Sequence, residues 1–104
     1  MKVEDVDKAI DLLHEYHFAD TLLRKAEETC ATVAVLNEKI KCTNNESEKF
    51  HYRKEISDNI QNLILSSEHD GYNFKHDVLM SGLAIAITKL EYKLKELKHK
   101  IEQL

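Results

Sequence analysis

Eight apolar residues near the C-terminus follow a heptad spacing, and this feature constrains the fold more than any other. Successive members are three or four residues apart, in strict alternation. They are Met80, Leu83, Ile87, Leu90, Leu94, Leu97, Ile101 and Leu104. The spacing places all eight side chains on one stripe of an α-helix, and a partner helix must cover such a stripe. The pattern therefore predicts helix-on-helix packing, but it assigns no function.

The composition favours a small number of long helices. Proline is absent and glycine occurs only at Gly71 and Gly82, whereas sheets and loops need both residue types for their turns. The chain mixes 33% charged with 42% hydrophobic residues, which is typical of amphipathic helices and not of disordered chains. We predict one all-α domain over residues 1–104, either a three-helix bundle or a long helical hairpin with a coiled-coil-like C-terminal helix.

Apolar periodicity predicts three helices, over about residues 3–41, 46–66 and 73–104. The first helix carries two neighbouring apolar stripes. One stripe consists of Val3, Val6, Ile10 and Leu13, and the other of Leu12, Tyr16, Ala19, Leu23, Ala26, Cys30, Val33, Asn37 and Ile40. The two stripes lie side by side, so the apolar face of this helix is expected to be broad at its start and then to narrow.

Local signals suggest where the helices begin and which segments are buried. Thr43 stands three residues before Glu46, the spacing of a capping box, and Asn73 follows a turn-like stretch and is expected to cap the last helix. The segment 78–87 is apolar or small on nearly every side, so we expect it to be the best-covered part of the chain. The expected buried residues of the second helix are Phe50, Ile56, Ile60, Leu63 and Ile64.

Charge and cysteine usage limit the classes of partner. The net charge of −4 is mild, so nucleic acid is not an expected partner, and no uncharged run approaches the ~20 residues of a membrane span. The charge is uneven, because residues 1–20 carry two basic and six acidic groups while residues 71–104 carry six basic and four acidic groups. Cys30 and Cys42 lie twelve positions apart on one predicted helix, too far for a disulfide, which favours reduced thiols in a cytoplasmic protein.

Histidine–carboxylate spacings are the strongest chemical motif. The pairs Asp11/His14 and Glu48/His51 are similar to the Glu-x-x-His element of di-iron four-helix bundles, and His17 lies three residues after His14. With 19 acidic residues in 104, about one of the six histidines should have an acid three positions earlier by chance, and three do, the third being His99 after Glu96. A full di-iron site would also need two further inward glutamates, and no other helix supplies an obvious pair. We therefore predict no catalytic residue, cofactor or metal. The weak candidates for a metal site are Asp11, His14, His17, Glu48 and His51.

Two aromatic residues and the heptad ladder are the candidates for partner contacts. Phe18 falls outside both stripes of the first helix, and Tyr52 lies beside His51, so each is expected to be available to a protein partner. The narrow heptad seam supplies Leu90, Leu94, Leu97 and Ile101 as further partner-binding candidates. Asn37 interrupts an apolar ladder, as residues that fix register or oligomer state often do, and we group it with Met80, Leu83 and Ile87 as an expected oligomer core.

These observations favour a non-enzymatic protein-interaction module: an adaptor, an assembly factor or an inhibitor of a protein partner. The three helices cannot cover all of their apolar surfaces within one chain, so the expected partners are a second copy, preferably antiparallel, and another protein. Two alternatives stay open, a helical oligomer that sequesters a small molecule and a metal-dependent bundle enzyme. The richness in Lys, Glu, Ile and Asn is common in AT-rich bacteria and their phages, which suggests a phage or mobile-element accessory protein.

Overall fold

The chain folds into helices throughout the part that the structure describes. A computed structural model describes residues 2–68 and 74–104. It contains α1 (Val3–Cys42), α2 (Glu46–Ser66), α3 (Phe74–Ser81) and α4 (Leu83–Glu102). The described ranges are 91% helical and contain no strand, which confirms the predicted all-α class. The predicted turn around Gly71 and the predicted cap Asn73 lie outside the described residues.

The turn between α1 and α2 is fixed by a small hydrogen-bond network. The Asn45 side chain caps α2, because its Oδ1 accepts from the backbone N–H groups of Ser47 (2.9 Å) and Glu48 (3.3 Å). Thr43 Oγ1 accepts from the backbone N–H of Asn45 (3.2 Å) and donates to the Glu48 carboxylate (2.7 Å). Asn45 is thus the Ncap residue and Glu48 is N3, but the Thr43 hydroxyl stands between the Glu48 carboxylate and the Asn45 N–H, in place of the direct bond of a capping box. The predicted box at Thr43 and Glu46 was therefore wrong and the cap lies two residues later, although Thr43 does belong to the network.

The predicted last helix is broken at Gly82. This residue has φ 89° and ψ 163°, a conformation that is essentially restricted to glycine. The chain bends there, and the bend brings Asp77 of α3 to Lys89 of α4, with Oδ1 and Nζ 3.1 Å apart. In a continuous helix these residues would be separated by about 18 Å along the axis. The prediction of one helix over 73–104 was therefore wrong, because the glycine adopts a backbone conformation that no helix contains.

Helix α1 is the central element of the fold, since α2 and α4 both pack on it and α3 packs on α4. Lys39 of α1 lies over the ring of Tyr52 in α2, 5.7 Å from its centroid, while Lys93 of α4 reaches Glu15 of α1 at 3.4 Å. Helix α2 thus lies beside the second half of α1, and α4 contacts its first half. The buried core residues are Ala19, Leu22, Ala26, Leu63, Phe74, Ala86, Leu90, Leu94 and Leu97. Small side chains on α1 face large leucines on α4, which lets these helices approach closely.

The molecule is a rod and has a large surface for its mass. Its principal extents are 65 × 20 × 19 Å, and its radius of gyration is 17.6 Å, against about 13 Å for a compact chain of this length. The accessible surface is 7551 Å², whereas a compact monomer of 12.1 kDa exposes about 6000 Å². One chain alone therefore leaves much surface that a compact fold would cover.

Two predictions of burial were wrong. The segment 78–87 is not the best-covered part of the chain, because Leu79 and Met80 are 69% and 72% exposed and Ile85 is also exposed. Leu79 and Met80 lie in α3 before the Gly82 bend and Ile85 lies on the exposed side of α4, so the apolar character of the segment does not translate into coverage. Phe50, an expected buried residue of α2, is 70% exposed, whereas Leu63 is buried and Ile56, Ile60 and Ile64 are half-buried.

Candidate protein-interaction surfaces

The first surface is an apolar row near the start of α1, which we call the N-terminal stripe: Val3, Val6, Ile10 and Leu13. All four side chains are exposed, from 42% for Val6 to 80% for Val3. The buried row of α1, which includes Ala19 and Ala26, lies roughly 140° away around the helix at 3.6 residues per turn. The structure thus treats the two predicted stripes of α1 differently: every member of the second except Asn37 is buried or half-buried, and none of the described helices covers the first.

The same side of α1 carries apolar residues again near its C-terminal end. Val35 is 56% exposed. It follows Ile10 by 25 positions, nearly seven full helical turns, so the two side chains point within about 20° of each other around the helix axis. A shallow depression around Val35 is also lined by Ala34, Glu38, Lys39 and Cys42. We call this region the C-terminal patch, and we call the side of α1 that joins it to the N-terminal stripe the outer face.

The middle of the outer face is polar. His17, Arg24 and Glu28 are exposed there, and Arg24 Nε lies 3.3 Å from the Asp20 carboxylate one turn away. This ion pair gives the Arg24 guanidinium a carboxylate partner within α1. The outer face therefore has apolar ends and a polar centre along a helix of 40 residues.

A second surface is a groove along α2, which we call the α2 groove. Its apolar lining is Ile56, Ile60, Ile64 and Leu65, and its volume is about 500 Å³. Polar side chains complete the lining: Arg53, Ser57, Gln61, Glu68 and, from α3, Lys75. Since Arg53 and Lys75 are cations and Glu68 is the one acid among the described lining residues, the groove combines an apolar floor with a net positive charge.

Ion pairs join the basic helix α4 to the acidic half of α1 and also connect residues within α4. The Lys93–Glu15 contact joins the two helices at the edge of the core. On the exposed side of α4, Lys100 Nζ lies 3.1 Å from the Glu96 carboxylate. The hydrogen bond and charge of Lys100, with a smaller contribution from Lys93, lower the pKa of Glu96. The acidic and basic arms of the sequence do meet within one chain.

The structure places the predicted heptad partner residues inside the chain's own core. Leu90, Leu94 and Leu97 are buried against α1, with Leu97 only 1% exposed, and Ile101 is half-buried. Their apolar surface is already covered, so the structure assigns the three leucines to intrachain packing and not to an open partner surface. The spacing correctly indicated that a helix covers them, but that helix is α1 of the same chain.

The two predicted aromatic contacts are also used within the chain. Phe18 is half-buried and packs against the core, although its position in the sequence lies outside both stripes. Tyr52 is half-buried under the Lys39 ammonium and stands in tilted contact with the His51 ring, with centroids 6.2 Å apart. Both aromatic residues therefore present reduced surface to a protein partner.

The four residues of the expected oligomer core do not come together. Leu83 and Ile87 are half-buried and pack against the intrachain core. Met80 is exposed on the other side of the Gly82 bend, and Asn37 is exposed on α1. A role of Met80 and Asn37 in assembly stays a prediction.

The weak metal candidates do not form a cluster. Within the described residues, no group of three or more His, Cys, Asp or Glu side chains is arranged to hold a metal ion. Asp11, His14 and His17 are exposed on the first half of α1, whereas Glu48 and His51 begin α2, roughly 40 Å further along the rod. Glu48 is also engaged by the Thr43 hydroxyl in the turn.

Comparison with known proteins gives no family for this chain. No protein-family model matches it, and no curated protein or solved structure shows significant similarity. Among the described residues, no helix has both the length and the apolarity needed to cross a membrane. The surfaces themselves must therefore carry the functional argument. The sequence did contain the N-terminal stripe, but only the structure shows that this stripe, and not the heptad ladder, is the uncovered one.

Proposed function

We propose that this chain is a non-enzymatic protein-interaction module that acts through its helical faces as an oligomer of at least two copies. The observation that carries the proposal is the exposed N-terminal stripe. Its four branched aliphatic side chains have helical periodicity and are covered by none of the described helices, and exposed apolar patches of this kind mark sites of protein association. An adaptor, an assembly factor and an inhibitor of a protein partner would all use such a surface.

The energy available from covering the stripe supports association. Fully burying an exposed valine, leucine or isoleucine stabilises a complex by about 1.5–3 kcal/mol. Since the four side chains are on average about half exposed, covering them contributes roughly 3–6 kcal/mol for each stripe. The surface in excess of a compact monomer, about 1500 Å² per chain, is larger than the roughly 800 Å² that each partner buries in a stable interface of standard size.

The α2 groove supports the adaptor form of the proposal. It lies on a different helix from the N-terminal stripe and has a cationic rim, whereas the stripe belongs to the acidic arm of the sequence. Two chemically distinct surfaces on one elongated molecule can engage two different partners. A module that bridges proteins needs this separation.

The proposal is tested by the mass of the protein in solution. Light scattering at micromolar concentration should give at least twice the 12.1 kDa chain mass for the wild type. Ile10→Glu places a charge on the stripe without entering the core, so it should shift the mass towards that of a single chain while the circular dichroism stays helical. A matched control, Tyr92→Glu, alters a side chain that is 67% exposed on α4 and should leave the mass unchanged.

Two results would count against this assignment. A wild-type mass of 12.1 kDa across the micromolar range would refute the oligomeric part of the proposal. If Met80→Glu dissociated the oligomer and Ile10→Glu did not, the associating surface would be the corner at the Gly82 bend, and the stripe would have no role in assembly.

A further inference from the structure

We infer that the occupant of the outer face of α1 is the outer face of a second copy, with the two α1 helices antiparallel. In this dimer the N-terminal stripe of each copy lies against the C-terminal patch of the other. The inference rests on the proposed function, because it names the partner and the geometry of the same surface. It follows from three properties of the outer face: its direction, its charge and the position of its apolar ends.

The outer face is sterically free along α1 in the described part of the chain. The N-terminal stripe points roughly 140° away from the buried row of α1 that α4 covers. The C-terminal patch continues in the same direction, since Val35 is exposed while Leu36, beside it, is buried. A second helix can therefore run along the outer face without meeting α2 or α4 of the same copy.

Charge selects the antiparallel direction. The exposed centre of the outer face carries Arg24 and Glu28. A parallel pair in register would place each of these side chains against its own copy, so like charges would meet. Pairing two N-terminal stripes alone would leave the C-terminal patch of each copy uncovered. The antiparallel arrangement over the full helix separates the like charges, and it brings Lys39, beside Val35, to the flank of the second copy's stripe that carries Asp7.

The apolar ends define the register. Placing Ile10 opposite Val35 of the second copy also places Val3 opposite Cys42, since both pairs have the same sum of residue numbers. The same register sets His17 opposite Glu28, so the polar centre of the face is complementary as well. The arrangement has a two-fold axis near the middle of α1, and it closes at two copies because each surface meets its complement.

The register leads to a direct cross-linking test. Val3→Cys changes an end residue that is 80% exposed, so the fold should be unaffected, and the native Cys42 is exposed. In the proposed dimer a short bis-maleimide should join the introduced thiol of one copy to Cys42 of the other, and adding Cys42→Ser should abolish the covalent dimer. Wild-type protein should not cross-link through Cys42, because the two Cys42 residues lie about 60 Å apart in this register.

A matched control and the mass in solution separate the outcomes. Tyr92→Cys introduces an equally accessible thiol away from the outer face and should give little covalent dimer. A Cys42–Cys42 cross-link in the wild type would overturn the inference in favour of a parallel pair. Equal cross-linking of the Tyr92→Cys and Val3→Cys variants would also overturn it. If light scattering still gives a dimer in either case, the proposed function survives; a monomeric mass would remove both.

Discussion

Replacing Gly82 with alanine tests the feature that most separates the structure from the sequence pattern. Gly82 has φ 89° and ψ 163°, where a residue with a Cβ is strained by about 1–3 kcal/mol. A Cβ built on this glycine meets nothing within 4 Å, so no clash with a described neighbour adds to that cost. We therefore expect Gly82→Ala to lower the free energy of unfolding by about 1–3 kcal/mol.

The alternative outcome of the Gly82→Ala substitution is that α3 and α4 join into one straight helix through residue 82. Alanine at position 82 favours a continuous helix over glycine by about 1 kcal/mol, and the heptad ladder would continue through it. Straightening, however, would separate Asp77 from Lys89, which are 3.1 Å apart in the structure. It would also withdraw Phe74, which is 4% exposed, from the core. Loss of that buried aromatic alone costs about 3–5 kcal/mol, so the bent form with its strain should be retained.

The measurement is urea unfolding followed by circular dichroism at one fixed protein concentration, because association would add a concentration-dependent term. For a chain of this size each kcal/mol corresponds to about 4–8 °C in the melting temperature. Ser81→Ala, next to the bend on an exposed position, is the control and should change stability by less than about 0.5 kcal/mol. A Gly82→Ala variant as stable as the wild type would show that the bend is not strained by a side chain, and would favour the continuous helix.

Two further variants test the core and the surface electrostatics. Leu97→Ala removes a side chain that is 1% exposed and should lower the free energy of unfolding by about 3–5 kcal/mol. Leu79→Ala removes a side chain that is 69% exposed and should lower it by less than about 1 kcal/mol. If chemical denaturation gave equal losses of stability for the two variants, the assigned core would be contradicted. Lys100→Ala should raise the pKa of Glu96 towards the ordinary carboxyl value in an NMR titration, and an unchanged pKa would show that the pair does not form in solution. Because the folded-state pKa is lowered, the stabilising contribution of this pair is present above the ordinary carboxyl range and is lost as the pH falls through the folded-state value.

Local patterns in the sequence determined the helical class and most helix boundaries. The absence of proline and the alternating steps of three and four residues permit little except amphipathic helices, and α1 and α2 begin and end within one residue of the predicted ranges. The cap of α2 was misplaced because Thr43 and Asn45 are both good capping residues two positions apart. Only the backbone geometry shows which of the two side chains accepts from the first turn.

Tertiary structure alone decided which apolar rows are covered. The sequence offers both the heptad ladder and the N-terminal stripe as periodic apolar surfaces, and the periodicity does not say which of them the chain covers itself. Burial depends on where the chain turns: Met80 lies exposed before the bend at Gly82, while Leu90, Leu94 and Leu97 meet the small side chains of α1. A glycine permits a positive φ but does not require one, since a helical Gly82 would also satisfy the local pattern. The energy that selects the bend comes from contacts between residues distant in sequence, such as Phe74 with the core and Asp77 with Lys89, and these contacts exist only in the folded chain.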